Sequence, residues 1–561
     1  MGAPAAFRRI RVLAGQLSGT YASDVAQGSV RHAPDDDGAK DLKLRWRPLS
    51  DDETGGAAPE PLIDPLAERQ LFVDDFAVAS EKGCSRRVHS PTKCGPCISG
   101  SMHSVSCAPQ ARSSPVWNSE LGLWEWWYMG PHGTHYATSG DGERWELPCV
   151  GRWEVGGSYE NNVACDPAMG GAYSVVRDDE DPDASRRYKG LFGGTYGSGR
   201  RRGVSANGFD WTLIGDSETD EIPSQDESQF SYDPYQKRWL ALVKLPTEHG
   251  RSVWLSQATD FCGDFSTPEL IFHADAVDHE NAAARVAAHL ANPEMLSPPI
   301  TEEPGQYPAE VYNMAVMPYR GIYIGFPTIY NPIGAIPPPA TNSTRINQIE
   351  LAVSRDALHW KRIERDRTSV FIGVEPWNQG NYGCSQLLMA GQPIVRDDLG
   401  GEIWCYYNAL RAPGSVEQYR QFGDVEELRR LNVNPADLSE DGGALSLAKL
   451  RADGFVSVDA SMAGELITKP FLWPDREPAV SLFINANASW GEIYVELIDA
   501  STGRPFEGFW VPAHPPAPFF GDSTKHCVEW GPDADVVQVR GKIVQVKFYL
   551  HQASLFSFWL E

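Results

Sequence analysis

Over the last hundred residues apolar and polar positions alternate almost strictly. GELITKPFLW, SLFINANAS, GEIYVELIDA, VVQVRGKIVQVKFYLHQ and SLFSFWLE follow one another with short turn-forming stretches between them. A period of two marks half-buried strands, and several in series predict a β-sandwich over residues 461–561. Between about 61 and 460 the theme differs. An alternating strand, a polar turn (DPYQKR, PYRG, DDLGGE) and a second, aromatic strand recur, the pattern of a β-meander.

A short turn punctuates those meanders. SGDGERW (139–145), SANGFDW (205–211) and SRDALHW (354–360) share a Ser, an Asp or Asn two positions later, and a Trp, each after a strand-like run. SQATDFCGDF (256–265) is a degenerate copy, and LRADGF carries Asp453-Gly454-Phe455 without the Ser. Asp-Gly and Asn-Gly supply the positive φ of a tight turn, and the Ser hydroxyl can bond back to the turn backbone. A strand–turn–aromatic unit recurring five times predicts a five-bladed β-propeller, so the fold class expected is all-β, propeller then sandwich. QLFVDDFAVAS (70–80) reads as one strand that opens the fold or closes the ring. The segments 280–292 and 424–440 read as helical insertions, and 1–60, with DDDGAKD and SDDETGGAAPEP, as a leader without a packed core.

Composition narrows the partners. A formal charge of −26 makes nucleic acid and anionic membrane poor partners, and no apolar run reaches the length of a membrane span. MGAPAAFRRIRVLAGQLSG has basic residues but no hydrophobic stretch of a signal peptide, which predicts a soluble chain and leaves compartment and oligomeric state open. Of ten cysteines only KCGPCIS (93–99) forms a motif. Redox chemistry there needs a helix N-terminus after a buried strand, and the flanks HSPTK and SGSMHSVS supply neither, so CGPC is expected in a loop. One CxxC beside His89 and His103 lacks the second pair of a zinc site. No cofactor and no metal are expected.

QLFVDDFAV with RRVHSPTK, EVYNMAVMPYRGIYIGF, IELAVSRDALHW, QPIVRDDLGGEIWCYY, LRADGFVSVDA and GEIYVELIDASTGRPFEGF together resemble a group of bacterial glycoside-hydrolase-like proteins. These join an invertase- or arabinanase-like five-bladed propeller to a C-terminal β-sandwich, and the resemblance spans about residues 66–561. It implies carbohydrate as the partner. The Asn-Asp-Pro-Asn-Gly motif of invertases is missing, so their nucleophile has no counterpart here.

In a propeller the first strand of each blade lines the central funnel. Carboxylates in those positions are Glu160 (SYENNVA), Asp226 (SQDESQF), Glu310 (YPAEVYNM) and Glu375 (VEPWNQGNYG), while SVSCAPQ in the first blade carries none. Glycoside cleavage needs two carboxyl groups across the bond, one protonated and one ionised. Glu310 is the expected acid and Asp226 the expected base or modulator. Tyr159, Tyr312, Trp377 and Tyr382 could stack on a sugar face, and Asn161, Asn162 and Gln379 could bond its hydroxyls. Asp141, Asp356 and Asp453 lie in the turns and are expected to be structural. The expected function is a glycoside hydrolase or transglycosidase acting on a poly- or oligosaccharide in the funnel. The alternatives are a non-catalytic carbohydrate-binding propeller, in which the carboxyls are tied up by Arg, and a protein-interaction scaffold.

Overall fold

The computed structural model describes residues 62–103, 107–169, 171–193, 199–215, 220–295, 308–335, 343–364, 369–377, 379–411, 441–509, 517–530 and 534–561. The expected leader and the expected 424–440 helix lie outside them. Among the described residues the chain is all-β, with one α-helix, Ala276–Ala291, where the Ala-rich run was read. That helix starts at a capping box in which Asp275 and Asp278 each accept the other's backbone N–H. No described helix is long and apolar enough to cross a membrane.

Five antiparallel groups of strands follow in order. Group I holds Val116–Asn118, Leu123–Gly130 and Gly133–Ser139, extended by the bridges Gln110–Met129 and Thr138–Glu146. Group II is Ala172–Arg177, Tyr188–Phe192, Arg201–Ser205 and Trp211–Ile214; group III is Ser228–Asp233, Arg238–Thr247, Gly250–Ala258 and Glu269–Phe272. Group IV is Glu310–Tyr319, Ile322–Ala335, Ala352–Ser354 and Lys361–Arg362. Group V combines Gln386–Met389, Glu402–Leu410 and Gly443–Arg451 with Thr92–Ser99 from the other end of the chain. Ser343–Ile349 pairs with both IV and V and merges them into one sheet. The middle strands are covered on both faces, so they read as apolar runs: Trp239 to Lys244 are buried in succession.

The repeated motif adopts one geometry after the third strand of groups I, II and IV. Ser139 Oγ accepts the N–H groups of Asp141 and Gly142 (3.3 and 2.8 Å), and Asp141 Oδ1 accepts those of Glu143 and Arg144 (both 2.8 Å). Trp145 Nε1 then donates to Gly142 O at 3.0 Å. Ser205, Asn207 and Trp211 repeat these bonds, as do Ser354, Asp356 and Trp360. Gly142 and Gly208 hold φ of 81° and 77°, and Ala357, which replaces the Gly in SRDALHW, keeps 66° despite its methyl group.

Each such turn docks on the preceding group. Tyr406 of V donates to Gly142 O of I (2.6 Å), and Gly208 of II lies against Trp127 of I. In the degenerate copy, Arg202 of II donates to Phe261 O of III (3.0 Å); Arg238 of III donates to Asp356 O of IV (3.2 Å). Tyr319 of IV donates to Asp453 Oδ1 of V (2.6 Å). The contacts run V–I–II–III–IV–V and so close on themselves.

Two expectations need correction. CGPC lies in the strand Thr92–Ser99, not in a loop. That strand is the outermost of group V, where Pro96 costs no bond to a further neighbour, and two register shifts and Gly95 at φ 97° absorb the irregularity. All ten cysteines are free, and burial pushes the Cys97 thiol up to about 12. QLFVDDFAVAS, in turn, is not one strand. Asp74 accepts the N–H of Phe76 and breaks it into Gln70–Leu71 and Val78–Lys82. Neither piece joins groups I–V. They pair instead with Ile543–Leu560 and Val456–Thr468 in a nine-stranded C-terminal sheet that also takes Ser85–Val88. Its long strands shift register at Ala460/Ala463 and Asn487/Glu492, and residues on both sides of these shifts feed one apolar core.

Gly208 tests the docking. A methyl carbon there would stand 2.3 Å from Trp127 Cζ2 on a left-handed backbone, so Gly208→Ala should cost about 2–4 kcal/mol. Ser205→Ala, which removes only hydrogen bonds, should cost about 1 kcal/mol. Denaturant titration of both variants measures the difference; equal losses would show that the turn is not seated on Trp127.

Candidate active site

Residues at or just before the first strands of groups I–IV and on the first two strands of group V meet through hydrogen bonds at a common centre. Ala111 N–H donates to Asn408 Oδ1 (2.7 Å), joining I to V, and Ser174 of II donates to Arg112 O of I (2.7 Å). Tyr173 of II donates to Asp226 O of III (2.7 Å), and Gln229 of III to Met389 O of V (2.9 Å). Arg112 crosses to group III. Its Nε and NH2 bond the two oxygens of Glu227 at 2.5 and 2.6 Å, and Asn313 of IV adds an N–H at 3.3 Å. This pair is almost wholly buried, with 4% and 5% of its side chains exposed.

Toward solvent from Glu227 lie the three residues that sequence reasoning ranked first. Asp226 pairs with Lys244 at 2.5 Å. The Lys244 ammonium lies 4.3 Å over the Tyr312 ring, and Tyr312 stacks on Tyr330 with centroids 6.3 Å apart. Arg251 lies 4.9 Å over Tyr330, and its guanidinium pairs with Glu310. Arg251 holds both oxygens of that carboxylate, NH1 on Oε2 and its own backbone N–H on Oε1 at 3.2 Å. Asp226 and Glu310 thus stand at the two ends of one chain of contacts with a tyrosine pair between them.

The electrostatics are clearest at Asp226 and at the two cations. Burial pushes the Asp226 carboxyl up, but Lys244 and Arg112 outweigh it and hold the group below its ordinary 3.8. Burial pulls the Lys244 ammonium down against the attraction of Glu227 and Asp226. The two directions differ because Lys244 is far more deeply buried than Asp226; at 2.5 Å the geometry is that of an ion pair. Arg251 is shifted up, since Glu310 overcomes the burial that would lower it.

The remaining predicted residues do not join this centre. Tyr159 and Glu160 sit exposed on the loop between groups I and II. The Asn161 amide bonds the carbonyls of Trp153 and Ser158 and the N–H of Val163. Asn162 is buried, bonding His135, Tyr128 and the Tyr136 carbonyl. These two amides are occupied by the fold. Glu375, Trp377, Gln379 and Tyr382 lie between groups IV and V. Glu375 is 3.6 Å from Lys93, Trp377 N–H bonds Glu294 O, and Gln379 is exposed. Tyr382 donates to Asp441 at 2.6 Å beneath Arg411.

Sequence reasoning missed Glu227, Arg112, Lys244 and Arg251. A Lys inside the apolar run RWLALVKLP was a signal, because a buried ammonium requires a partner. Glu227 stands beside the chosen Asp226, and nothing in its neighbours separates the two.

No family model and no curated protein sequence matches the chain. Solved structures similar to it include an α-L-arabinofuranosidase from Podospora anserina in complex with cellotriose, 9% identical over 65% of this chain and 98% of that one, TM-score 0.37. A fructofuranosidase from Schwanniomyces occidentalis complexed with fructosylnystose is 9% identical over 83% and 96%, TM-score 0.35. An endo-arabinase from Bacteroides thetaiotaomicron is 10% identical over 63% and 96%, TM-score 0.33. Likeness this distant assigns no residue a role.

The buried pair at the centre has a testable signature. Glu227→Gln strands Arg112 without its charge partner and should cost about 3–5 kcal/mol. The double variant R112M/E227L removes both charges and should cost less than Glu227→Gln alone. Denaturant titration of both proteins decides it; a double variant less stable than the single would show that the pair is not the source of the loss.

Proposed function

We propose that groups I–V are the blades of a five-bladed propeller built from about residues 92–451 and closed by Thr92–Ser99, that the C-terminal sheet, which also takes the strands of 70–88, is the sandwich expected over 461–561, and that the protein is a glycoside hydrolase. The observation that carries the activity is the convergence of Asp226 and Glu310 from neighbouring groups on the Tyr312–Tyr330 stack. Two carboxyls brought to one cluster from neighbouring groups suit glycoside cleavage, which needs an acid and a base flanking the bond.

In this reading Asp226 accepts a proton from water as the water oxygen bonds to the anomeric carbon. The glycosidic C–O bond breaks, and its electron pair takes a proton from Glu310. Lys244 keeps Asp226 ionised, as a base requires. Glu310 can carry its proton only after Arg251 gives up one of its oxygens. The same chemistry with a sugar hydroxyl in place of water is transglycosylation. Non-catalytic carbohydrate binding is the second reading, favoured by one observation: Asp226, Glu227 and Glu310 are all ion-paired.

Turnover of aryl glycosides and natural polysaccharides by the full chain separates the two. Glu310→Gln should lower turnover about 10²–10⁴-fold on natural glycans and far less on aryl glycosides, whose leaving groups need little protonation. Asp226→Asn should be slow on both. Because the Asp226 carboxyl is held below 3.8, the acidic limb of kcat/KM should fall below that pH, activity persisting as pH drops toward 4. Binding without turnover across the panel would move the protein to the second reading.

A further inference from the structure

We infer that the site takes a carboxylated glycan, a uronate-containing oligosaccharide, whose carboxylate binds Arg251. The inference rests on the glycoside-hydrolase reading and names its substrate class.

The chain carries a net charge of −26, yet its centre holds a surplus of cations. Arg112, Lys244, Arg251 and Arg200 face the three carboxylates named above. Arg200 has no carboxylate partner among the described residues; it bonds Ser228 Oγ and Gln225 O and lies 4.2 Å over the Tyr173 ring. Burying a positive surplus in an acidic protein is costly unless an anion completes it.

Only one of these cations is placed to receive that anion. Arg112 and Lys244 expose 4% and 3% of their side chains and Arg200 is fully buried, whereas Arg251 exposes 32%. Arg251 uses NH1 on Glu310, and no described residue offers an acceptor to its Nε or NH2. A guanidinium with a free edge is the donor set that a second carboxylate fits in a two-pronged bond. Within the glycoside-hydrolase reading, a carboxylate that the substrate itself brings is that of a uronate.

This placement couples recognition to chemistry. A substrate carboxylate drawing the Arg251 guanidinium toward itself loosens its hold on Glu310, which then takes up a proton from solvent and passes it to the departing oxygen. A neutral glycan leaves Glu310 clamped.

The test is calorimetric titration of the full chain with trigalacturonate and with its carboxyl-reduced, neutral counterpart, repeated with a glucuronate-containing trisaccharide and its reduced form. Wild type should bind at least one charged form about 10–100-fold more tightly than its neutral partner, the range of a charge-assisted bond. That preference should shrink as salt screens the contact. Arg251→Gln should bring the ratio close to one, and Arg251→Lys, which keeps the charge without the fork, should retain part of it. A melting curve checks that each variant is folded; if Arg251→Gln is not, Arg251→Lys and the salt series carry the test. Equal or tighter binding of the neutral forms by wild type overturns the substrate class while the glycosidase reading stands. Failure to bind any of the four, with no turnover on the wider glycoside panel, overturns that reading and this inference with it.

Discussion

The buried pair of Arg112 and Glu227 is the constraint around which the centre is built. A guanidinium and a carboxylate removed from water cost several kcal/mol each, and only near-ideal geometry offsets this. Two parallel bonds at 2.5 and 2.6 Å supply the geometry, while Gln110 and Asn313 occupy further donor and acceptor positions. The pair also fixes distance. Group I cannot move relative to group III without separating two buried charges. Because Arg112 O also accepts from Ser174, group II is held by the same residue. An apolar centre of the same volume would hold the groups together without fixing their register so sharply.

A second buried carboxylate ties the C-terminal sheet to that assembly. Asp453 belongs to the last of the five turns and is fully buried. Its oxygens accept from Tyr319 of group IV, Arg69 of the N-terminal segment, and Asn485 and Ser557 of the C-terminal sheet. In groups I and IV the equivalent Asp is largely satisfied by its own turn backbone; here the missing Ser leaves the carboxylate to partners distant in sequence. That change of partners is what the missing Ser of the fifth copy accompanies. The motif has exchanged a local role for one between sheets.

What was legible in the sequence was what short-range physics dictates. The Ser–Asp–Gly–Trp turn bonds within seven residues, so its copies can be recognised without knowing what they dock on. The Ala-rich helix and the alternating C-terminal strands are equally local. The errors came partly from long-range pairing and partly from side chains claimed by their own turns. Thr92–Ser99 becomes a strand because Gly443–Arg451, some 350 residues away, presents an edge to it, and nothing in CGPC announces that partner. Asp74 and Asp75 look like exposed positions of one strand until Asp74 is seen to cap a turn. At the site, Asp226, Glu310 and Tyr312 were found because they begin first strands. Arg112, Lys244 and Arg251 were missed because a search for acids does not ask which cations the fold will set against them. Asn161 and Asn162 were overvalued for the opposite reason. An amide beside a carboxylate looks like a sugar ligand in sequence, but a loop with unpaired backbone groups claims such an amide first.

The cations turn two similar carboxylates into different chemical groups. Lys244 is buried and pinned between Asp226 and the Tyr312 ring, so it has nowhere else to go and its carboxylate is ionised in the resting site. Arg251 lies at the mouth of the site with half its fork unused, so its hold on Glu310 can be exchanged for a hold on something arriving from solvent. In the proposed reaction the permanent partner suits a base, and the partner that can be drawn away suits an acid that works only when the site is filled. The difference between the two carboxyls therefore resides less in the acids, both at the starts of first strands, than in the exposure of the side chains facing them. On that proposal the site is inert when empty, with each of the three carboxylates ion-paired, and acquires its acid from the ligand that needs it.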